Sequence, residues 1–369
     1  MRVLYCYWGR KGGGAWYALE LIKALVSNSR NSKFFCSFSE YAENFDLLSE
    51  IGNEHFHIRT YRGKISFVLR SVLLPITLLR LAIFLIRNQI ELVYVPMAFP
   101  WFLPILPILK LCRIPYVLTV HDGQNHYGEG LAVPHLISRI YFRNAYRIVT
   151  LSQFVRKQIL SNCSVADSTV FVSKLGYFGY KNLDRRPKVF SLHSPMRIVF
   201  YGRIRKYKGL EYFLKAVCAL EKIDPALRFE LYGSGDLSAY EDLLQQVSNI
   251  RVENRWLRDD EVCNVFASPC INVCPYIEAS QSGVVPVALS CGIPTICTAV
   301  GGLAEQVVDG VTGYVVDCAD VERGIVNRVL TLQEDPERYN EMSRNCIRYA
   351  DAELSWDRIA GNLIRFLEL

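Results

Sequence analysis

The chain has 369 residues, of which 51% are hydrophobic and 21% charged, and its formal net charge is +6. This composition excludes a disordered protein, and the length favours two domains over one. The charge is too small and the Lys and Arg residues too scattered for a nucleic-acid-binding arm, but it suits phosphorylated ligands or anionic lipid headgroups. Twelve scattered cysteines without a CxxC pair favour a reducing, cytosolic compartment over a zinc or redox site. The N-terminus begins with a strand and not with a signal-like apolar segment, so we expect no secretion.

The first predicted unit is a strand, a glycine loop and a helix. A β-prone run at Arg2–Tyr7 leads into glycines at 9 and 12–14, and apolar residues at helical spacing follow. In this order the loop amides and the helix N-terminus can face an anion. The loop matches neither GxGxxG nor GxxxxGK[ST], so neither a nicotinamide cofactor nor ATP is indicated. A plain tight turn is the alternative interpretation.

Two strongly apolar segments come next. Ile65–Ile86 is predicted to form one helix with a narrow polar side, and Arg70, Pro75 and Arg80 interrupt it too often for a membrane-spanning helix. Residues 97–111 contain prolines at 100, 104 and 107, which are incompatible with a stable spanning helix. Two interpretations stay open: core helices of an α/β domain, or helices in a membrane interface with arginines near the headgroups.

Two buried parallel strands are predicted at Ile90–Val95 and Tyr116–Val120, which are rich in β-branched and aromatic residues. The second strand ends at His121, which Asp122 and the polar run Gly123–His126 follow. Ligands of open α/β sheets bind beyond the carboxyl ends of strands, so His121 is a candidate substrate contact. An ordinary loop histidine is the alternative.

The second half of the chain repeats the α/β pattern after a linker. Periodicity fails between Lys174 and Ser194, where Gly, Asp and Pro accumulate. A strand at Arg197–Tyr201 then leads into a loop and a helix. Arg203 and Lys208 lie in that loop, where two cations can neutralise a diphosphate. A second doubly wound domain is therefore predicted.

The stretch from Pro275 to Glu305 has the strongest pocket signature. A predicted strand at Ile271–Cys274 delivers Glu278, and the loop Ser280–Gly283 precedes an apolar helix at Val284–Ser290 whose first amides could hold phosphate. Gly292 is placed to end that helix, and Gly301–Gly302 is predicted to turn into a helix bearing Glu305. A carboxylate and a glycine loop thus recur at adjacent strand ends. A merely structural strand–turn–helix unit is the alternative.

Together these residues resemble the retaining glycosyltransferases of family 4, whose GT-B fold has two facing Rossmann-like domains with the active site in the cleft. The resemblance covers most of the chain. The motifs that carry it are Gly12-Gly13-Gly14-Ala15, His121-Asp122, Gly202-Arg203, Lys208-Gly209, and Glu278 to Glu305 with Cys291-Gly292-Ile293-Pro294 and Gly301-Gly302. It implies an α/β fold with an N-terminal acceptor-side domain at 1–173, a linker at 174–194, a donor-binding domain at 195–350 and a C-terminal helix at 351–369 that crosses back to the first domain.

The resemblance also implies roles for individual residues. Arg203 and Lys208 resemble the pair that binds the donor diphosphate and stabilises the leaving group, while His121 and Glu278 resemble residues near the transferred sugar; these four are the expected catalytic residues. The glycine loop would close over the donor. The residues expected to bind the donor are Gly13, Gly14, Arg203, Lys208, Gln281, Ser282, Gly283 and Val284. No metal and no other cofactor is expected, because the two cations would supply the charge that Mg²⁺ supplies in other transferases.

One position departs from the family pattern. The family places a second glutamate eight residues after the first, where it holds the donor ribose, but this chain has Pro286 there, or Val287 when counted back from Cys291. The Glu278–Gly283 form resembles a variant branch among bacterial surface-polysaccharide transferases. Glu305 is one candidate replacement, and a glutamate bonded to nearby helix-start amides is the alternative.

The expected function is transfer of a sugar from a nucleotide-sugar to a hydroxyl acceptor, with retention of anomeric configuration. The apolar segments favour a lipid-linked or polysaccharide intermediate of cell-surface glycan synthesis, such as lipopolysaccharide, and a peripheral protein on the cytoplasmic membrane face. The expected partners are the donor, this acceptor and the membrane, without nucleic acid. A nucleotide-sugar epimerase of the same fold and a non-catalytic membrane-associated partner are the alternatives.

Overall fold

Each half of the chain builds one sheet of six parallel strands, which confirms the predicted α/β class. The computed structural model describes residues 1–52, 54–122, 135–180 and 182–369. They divide into two compact units. The first unit contains the described residues up to Gly176 together with Trp356–Leu369, and the second contains Tyr177–Ser355.

The strands are short and most of their central residues are buried, as parallel sheets covered by helices require, whereas the edge strand β9 is largely exposed. In chain order they are β1 (Arg2–Tyr7), β2 (Lys33–Phe38), β3 (Leu92–Val95), β4 (Tyr116–Val120), β5 (Arg147–Thr150), β6 (Val170–Val172), β7 (Arg197–Tyr201), β8 (Arg228–Gly233), β9 (Ile250–Asn254), β10 (Ile271–Cys274), β11 (Thr295–Thr298) and β12 (Gly313–Val316).

The α-helices alternate with these strands, and short 3₁₀ turns lie between some of them. In chain order the α-helices are α1 (Gly13–Asn28), α2 (Phe45–Ser49), α3 (Lys64–Val72), α4 (Leu74–Arg87), α5 (Leu106–Leu111), α6 (His135–Asn144), α7 (Gln153–Asn162), α8 (Leu210–Ile223), α9 (Glu241–Gln245), α10 (Asp259–Val265), α11 (Val284–Ser290), α12 (Val321–Glu334), α13 (Pro336–Glu353) and α14 (Trp356–Leu367).

The first unit has the strand order β2-β1-β3-β4-β5-β6. All its strands are parallel, but the chain adds β2 on one side of β1 and the later strands on the other, so the strand order reverses between β1 and β3. Its C-terminal helix α14 packs on α1. The rings of Tyr17 and Trp356 lie 5.5 Å apart, edge to face, and Asn28 Nδ2 donates to Asp357 Oδ1 at 2.8 Å. The last helix of the chain is therefore part of the unit that the first helix belongs to.

The predicted single helix at Ile65–Ile86 is wrong in one respect, because the segment forms two helices, α3 and α4, bent by 62° at Leu73. Pro75 lies in the first turn of α4, where a backbone N–H has no partner within the helix, so its absence costs nothing. In one continuous helix from Ile65 to Ile86, the same proline would remove a backbone hydrogen bond. Among the described residues, no single helix has the length and apolar composition to cross a membrane, whereas this bent pair meets that test by length and composition alone. Residues 97–111 are less helical than expected, with a 3₁₀ turn at Leu103–Ile105 before α5.

The second unit has the strand order β12-β11-β10-β7-β8-β9, so its direction reverses between β7 and β10. Ligands of doubly wound sheets bind at such a reversal, beyond the carboxyl ends of the two central strands. The loop after β7 contains Arg203 and Lys208, and the loop after β10 contains Glu278. The fold therefore brings together the two loops that the sequence singled out in this half.

Candidate functional site

The loops that follow β7 and β10 are braced against each other. The Ile277 N–H donates to the Tyr207 carbonyl at 2.7 Å. Gly209 has φ +67°, and a Cβ on it would lie 1.8 Å from the Pro275 carbonyl oxygen. Glycine is required there because any side chain would push the two loops apart and would disfavour this left-handed backbone. The cation-bearing loop and the Glu278 loop thus form one assembly.

The two cations of this assembly have different surroundings. The Lys208 side chain is buried, and its Nζ lies 3.7 Å from the centre of the Tyr276 ring and 5.2 Å from that of Tyr207. Arg203 is exposed, and its Nη2 donates to the Tyr207 hydroxyl at 3.4 Å. An aromatic face attracts an ammonium group without cancelling its charge. Lys208 is therefore held in place as a cation.

The loop Ser280–Gly283 is tied down through Ser282. The Ser282 N–H donates to Gln306 Oε1 at 2.7 Å, while Gln306 Nε2 donates to the Ser282 carbonyl at 2.9 Å. The Ser282 hydroxyl lies 2.9 Å from the Tyr276 hydroxyl and accepts from the Val284 N–H at 3.2 Å. The amides expected to bind phosphate are those of Ser282, Gly283 and the first turn of the helix. In this structure the Ser282 N–H donates to Gln306, and the Val284 N–H donates to the Ser282 hydroxyl.

The helix after this loop was predicted with its observed bounds, Val284–Ser290. It has only 7 residues, so its dipole is weak support for phosphate binding. Gly292 ends it with φ +72°, as expected of a glycine after the C-cap. Pro286 and Val287, the positions where the family has its second glutamate, are both buried within α11.

Three polar residues around the loop are relevant to the missing glutamate. Glu278 is half-buried at the start of the loop. Gln281 has a buried Oε1 with no hydrogen-bond partner in the described part of the chain. Glu305 is exposed in a 3₁₀ turn, Ala304–Gln306, so the predicted helix at this point is wrong. Gly301–Gly302 leads into that turn, and the Gly302 N–H donates to the Ala279 carbonyl at 3.0 Å.

In the first unit, His121 follows β4 as predicted. Its Nε2 lies 2.9 Å from the Pro96 carbonyl oxygen, and its ring stands edge to face with Tyr17 at 4.6 Å. Burial lowers the pKa of His121 below its usual value, partly offset by the Pro96 carbonyl and by Asp122. The imidazole is therefore neutral near pH 7, with Nε2–H donating to Pro96 and Nδ1 as the acceptor. The run Gly123–His126 lies outside the described residues.

The glycine loop of the first unit is less open than the sequence suggested. The Gly12 N–H donates to Glu43 Oε1 at 2.8 Å, so a carboxylate already occupies one of the amides expected to face an anion. Gly13 is exposed and Gly14 is buried, and a Cβ on Gly14 would lie 2.7 Å from Met97 Sδ. Gly14 therefore permits close packing of α1 on the segment after β3, and Gly13 is the more accessible of the two.

Sequence reasoning missed three residues of the assembly in the second unit: Tyr207, Tyr276 and Gln306. Tyr276 and Tyr207 had a usable signal, because each adjoins a strand end or a cation that the sequence singled out. No sequence signal pointed to Gln306, because a single glutamine belongs to no motif. Its two hydrogen bonds to Ser282 also join residues that are 24 positions apart.

Comparison with known proteins assigns both halves. A model described as Glycosyltransferase Family 4 matches residues 11–177, and one described as Glycosyl transferases group 1 matches residues 195–335. An uncharacterized glycosyltransferase of Methanocaldococcus jannaschii is 24% identical over 279 residues, 70% of this chain and 70% of the relative. A D-inositol 3-phosphate glycosyltransferase of Paenarthrobacter aurescens is 30% identical over 174 residues, 44% of this chain and 41% of the relative.

A similar solved structure is that of Anabaena HepE in complex with UDP and glucose. It aligns with a TM-score of 0.74 at 16% identity, over 100% of this chain and 99% of that chain. At this identity the likeness establishes the fold.

Proposed function

We propose that this family 4-like chain of the GT-B fold transfers a sugar from a nucleotide-sugar donor to a hydroxyl acceptor with retention of anomeric configuration. The observation that carries the proposal is the braced pair of loops at the strand reversal of the second unit. One loop holds a buried and an exposed cation and the other holds Glu278, at the carboxyl end of the sheet, where doubly wound domains bind ligands.

In this proposal Arg203 and Lys208 bind the donor diphosphate. Negative charge develops on the leaving phosphate during transfer, and cations fixed in advance stabilise it without reorganisation. Tyr276 and Tyr207 keep Lys208 oriented. The same two charges would make a divalent metal unnecessary for the leaving group.

Glu278 and His121 would act on the sugar. A carboxylate near the anomeric carbon can stabilise the positive charge that develops there. The neutral His121 can accept a hydrogen bond from a sugar hydroxyl through Nδ1, because its Nε2 is bonded to Pro96. Attack from the face that the phosphate leaves would then retain the configuration.

Gln281 would take part of the role of the missing ribose glutamate. An unsatisfied buried acceptor costs about 1–3 kcal/mol, which a ribose or sugar hydroxyl could recover by donating to it. The buried Oε1 of Gln281 is such an acceptor. Glu305 is less suited, because its side chain is exposed in a short turn.

The acceptor is proposed to be lipid-linked, because the first unit carries an exposed apolar surface on α3 and α4. Its side chains are 48–80% exposed: Ile65, Val68, Leu69, Val72, Leu73, Ile76, Leu79, Ile83 and Ile86. The opposite side of α4, including Leu81 and Leu85, is buried in the core. A stripe of this extent marks an interaction site.

An anionic bilayer surface is the proposed occupant of this stripe. Residues 64–87 contain Lys64, Arg70, Arg80 and Arg87 but no acidic residue. Interfacial helices combine an apolar face with such basic residues, which meet anionic headgroups. We therefore propose a peripheral enzyme on the cytoplasmic membrane face that acts on a lipid-linked or polysaccharide intermediate of surface glycan synthesis.

The reaction can be tested with nucleotide-sugars supplied with and without a lipid-linked sugar acceptor. The proposal expects a glycosylated product only with acceptor, and NMR of that product should show the anomeric configuration of the donor. An epimerised donor formed without acceptor, or a product of inverted configuration, would contradict it.

A further inference from the structure

We propose that Gln306 is the positioning residue of the donor loop: its side-chain amide bonds both the N–H and the C=O of Ser282 and so fixes the loop next to Tyr276, whose ring contacts Lys208. This inference rests on the proposed function, since it assigns a residue to the same site. It explains how the Gly301–Gln306 turn serves the site although Glu305 is exposed.

The Gln306 side chain makes two hydrogen bonds to the backbone of Ser282. Gln306 Oε1 accepts from the Ser282 N–H at 2.7 Å, and Nε2 donates to the Ser282 carbonyl at 2.9 Å. A primary amide that bonds the N–H and the C=O of one residue imitates a neighbouring strand, and it fixes the position and the tilt of that backbone. Near neutral pH, asparagine is the only other side chain with a donor and an acceptor in this planar spacing, and it is one methylene shorter; an ionised carboxylate can only accept.

A series of contacts connects Ser282 to Lys208. The Ser282 hydroxyl lies 2.9 Å from the Tyr276 hydroxyl, and the Tyr276 ring carries Lys208 Nζ at 3.7 Å. The Tyr276 carbonyl accepts from Thr298 Oγ1 at 2.6 Å, and Ser282, Tyr276 and Thr298 are all buried. A buried network of this kind is effective only when every member is satisfied. Loss of the Gln306 amide would therefore leave two polar groups of Ser282 without partners and loosen the ring that holds Lys208.

Gln281 directly precedes Ser282 in the donor loop. Gln281 has the buried acceptor without a described partner, and it adjoins the residue that Gln306 holds. A hydroxyl of the donor can reach Gln281 Oε1 only if the backbone around it is fixed beforehand. Gln306 thus acts on the donor through Ser282 and Gln281 and not by contact.

The test measures binding of UDP by calorimetry, with GDP, ADP and CDP as further probes, to the wild type, Gln306→Ala and Gln306→Glu. Gln246→Ala is the matched control, because Gln246 is exposed in the same unit and its Nε2 also donates to a backbone carbonyl, that of Asp242 at 2.9 Å. Near neutral pH we expect both Gln306 variants to raise Kd by about fivefold to tenfold, the effect of one to two ordinary hydrogen bonds, while the control keeps the wild-type Kd.

The glutamate variant supplies a readout that a purely structural role would not move. At neutral pH its carboxylate can accept from Ser282 but cannot donate, whereas a protonated carboxyl group can do both. Its Kd, relative to that of the wild type at the same pH, should therefore recover as the pH falls towards about 5, where a buried carboxyl group begins to protonate. The alanine variant should show no such recovery.

The outcomes separate the inference from the proposed function. If Gln306→Ala binds as tightly as the wild type, or if Gln246→Ala loses as much affinity, the positioning role is wrong while donor binding stands. If Gln306→Ala does not fold, the pH profile of Gln306→Glu decides, and a Kd ratio independent of pH overturns the inference. If the wild type binds none of the four nucleotides, the proposed function fails first.

Discussion

Arg203 and Lys208 come from one loop but are held in different ways. Lys208 is buried against two tyrosine rings, whereas the exposed Arg203 is bonded to one tyrosine hydroxyl. Lys208 is thus fixed before a ligand arrives, and Arg203 can still adjust to it. We infer that Lys208 contributes mainly to the transition state and Arg203 to donor binding as well.

We predict that Lys208→Ala lowers kcat by about 10²–10³-fold, as the loss of a preorganised charge at a developing anion does elsewhere. Arg203→Ala should raise the donor KM as well as lower kcat. The matched controls are Lys206→Ala and Arg205→Ala, since both are exposed cations in the same loop. Steady-state kinetics with the donor varied would check this, and equal losses in variants and controls would show that only the overall charge of the loop matters.

Two histidines on the edge of the first unit give a pH-dependent stability. The rings of His55 and His57 stack at 4.8 Å. Burial lowers the pKa of both, and His55 lowers that of His57 further while Glu40 raises it. Because the folded pKa values lie below the unfolded value, the unfolded state binds more protons as the pH falls below about 6.5, and these histidines then reduce the stability.

We therefore predict that the double variant His55→Gln/His57→Gln loses less stability than the wild type between about pH 7 and pH 5. Urea unfolding at both pH values measures the difference. His193→Gln is a suitable control, being a histidine of the other unit. An identical pH dependence of wild type and double variant would contradict the assignment.

At the scale of elements, the sequence predicted best those helices and strands that nearby glycine or proline residues delimit. β1, β4, β7, β10 and α11 were predicted with their observed bounds, because glycine or proline flanks most of them and their apolar runs are unbroken. Three features depended on tertiary context and were missed: the break between α3 and α4, the short turn at Glu305, and the Gln306 bonds to Ser282. The contact between the Gly12 N–H and Glu43 had no signal either, because Glu43 is distant in sequence.

Helix α4 has an apolar side that is exposed and that no other described element covers. Its exposed residues Ile76, Leu79 and Ile83 recur every three or four positions, so they share one side of the helix. Arg80 and Arg87 lie along the same segment and are also exposed. Both an apolar and an electrostatic contribution to membrane binding are expected from this arrangement.

We predict that the triple variant Ile76→Ser/Leu79→Ser/Ile83→Ser reduces binding to vesicles containing phosphatidylglycerol by at least about tenfold, since each exposed side chain that enters the bilayer contributes on the order of 1 kcal/mol. Wild-type binding should also weaken as salt is raised, because the arginine contribution is screened. Cosedimentation with the vesicles measures both effects.

The control for this experiment is Val189→Ser/Leu192→Ser/Ile223→Ser, which removes side chains of 57–76% exposure from the second unit. It should bind vesicles as the wild type does. Equal loss in both triple variants would assign the binding to general hydrophobicity, and no vesicle binding by the wild type would remove the docking proposal altogether.

At the scale of the whole molecule, two units of the same α/β architecture present their candidate residues in the same way. In each, the residues lie beyond the carboxyl ends of strands at or near a reversal of strand order. In the first unit the glycine loop follows β1, which adjoins the reversal, whereas His121 follows β4, one strand further from it. His121 and the glycine loop occupy that edge in the first unit, and Arg203, Lys208 and Glu278 occupy it in the second. We therefore expect the second unit to bind the donor diphosphate, because its loops hold both cations.

The most direct test of the central claim is a thermal-shift panel of UDP, GDP, ADP and CDP on the wild type and on Arg203→Ala/Lys208→Ala. A ligand at 100 times its Kd stabilises the folded protein by about 2.7 kcal/mol, which is readily measured as a rise in Tm. We predict that at least one nucleoside diphosphate raises the Tm of the wild type, and that the same nucleotide leaves the Tm of the double variant unchanged. A wild-type Tm that none of them moves, or an equal rise in both proteins, would contradict the proposal that these two cations bind the donor diphosphate.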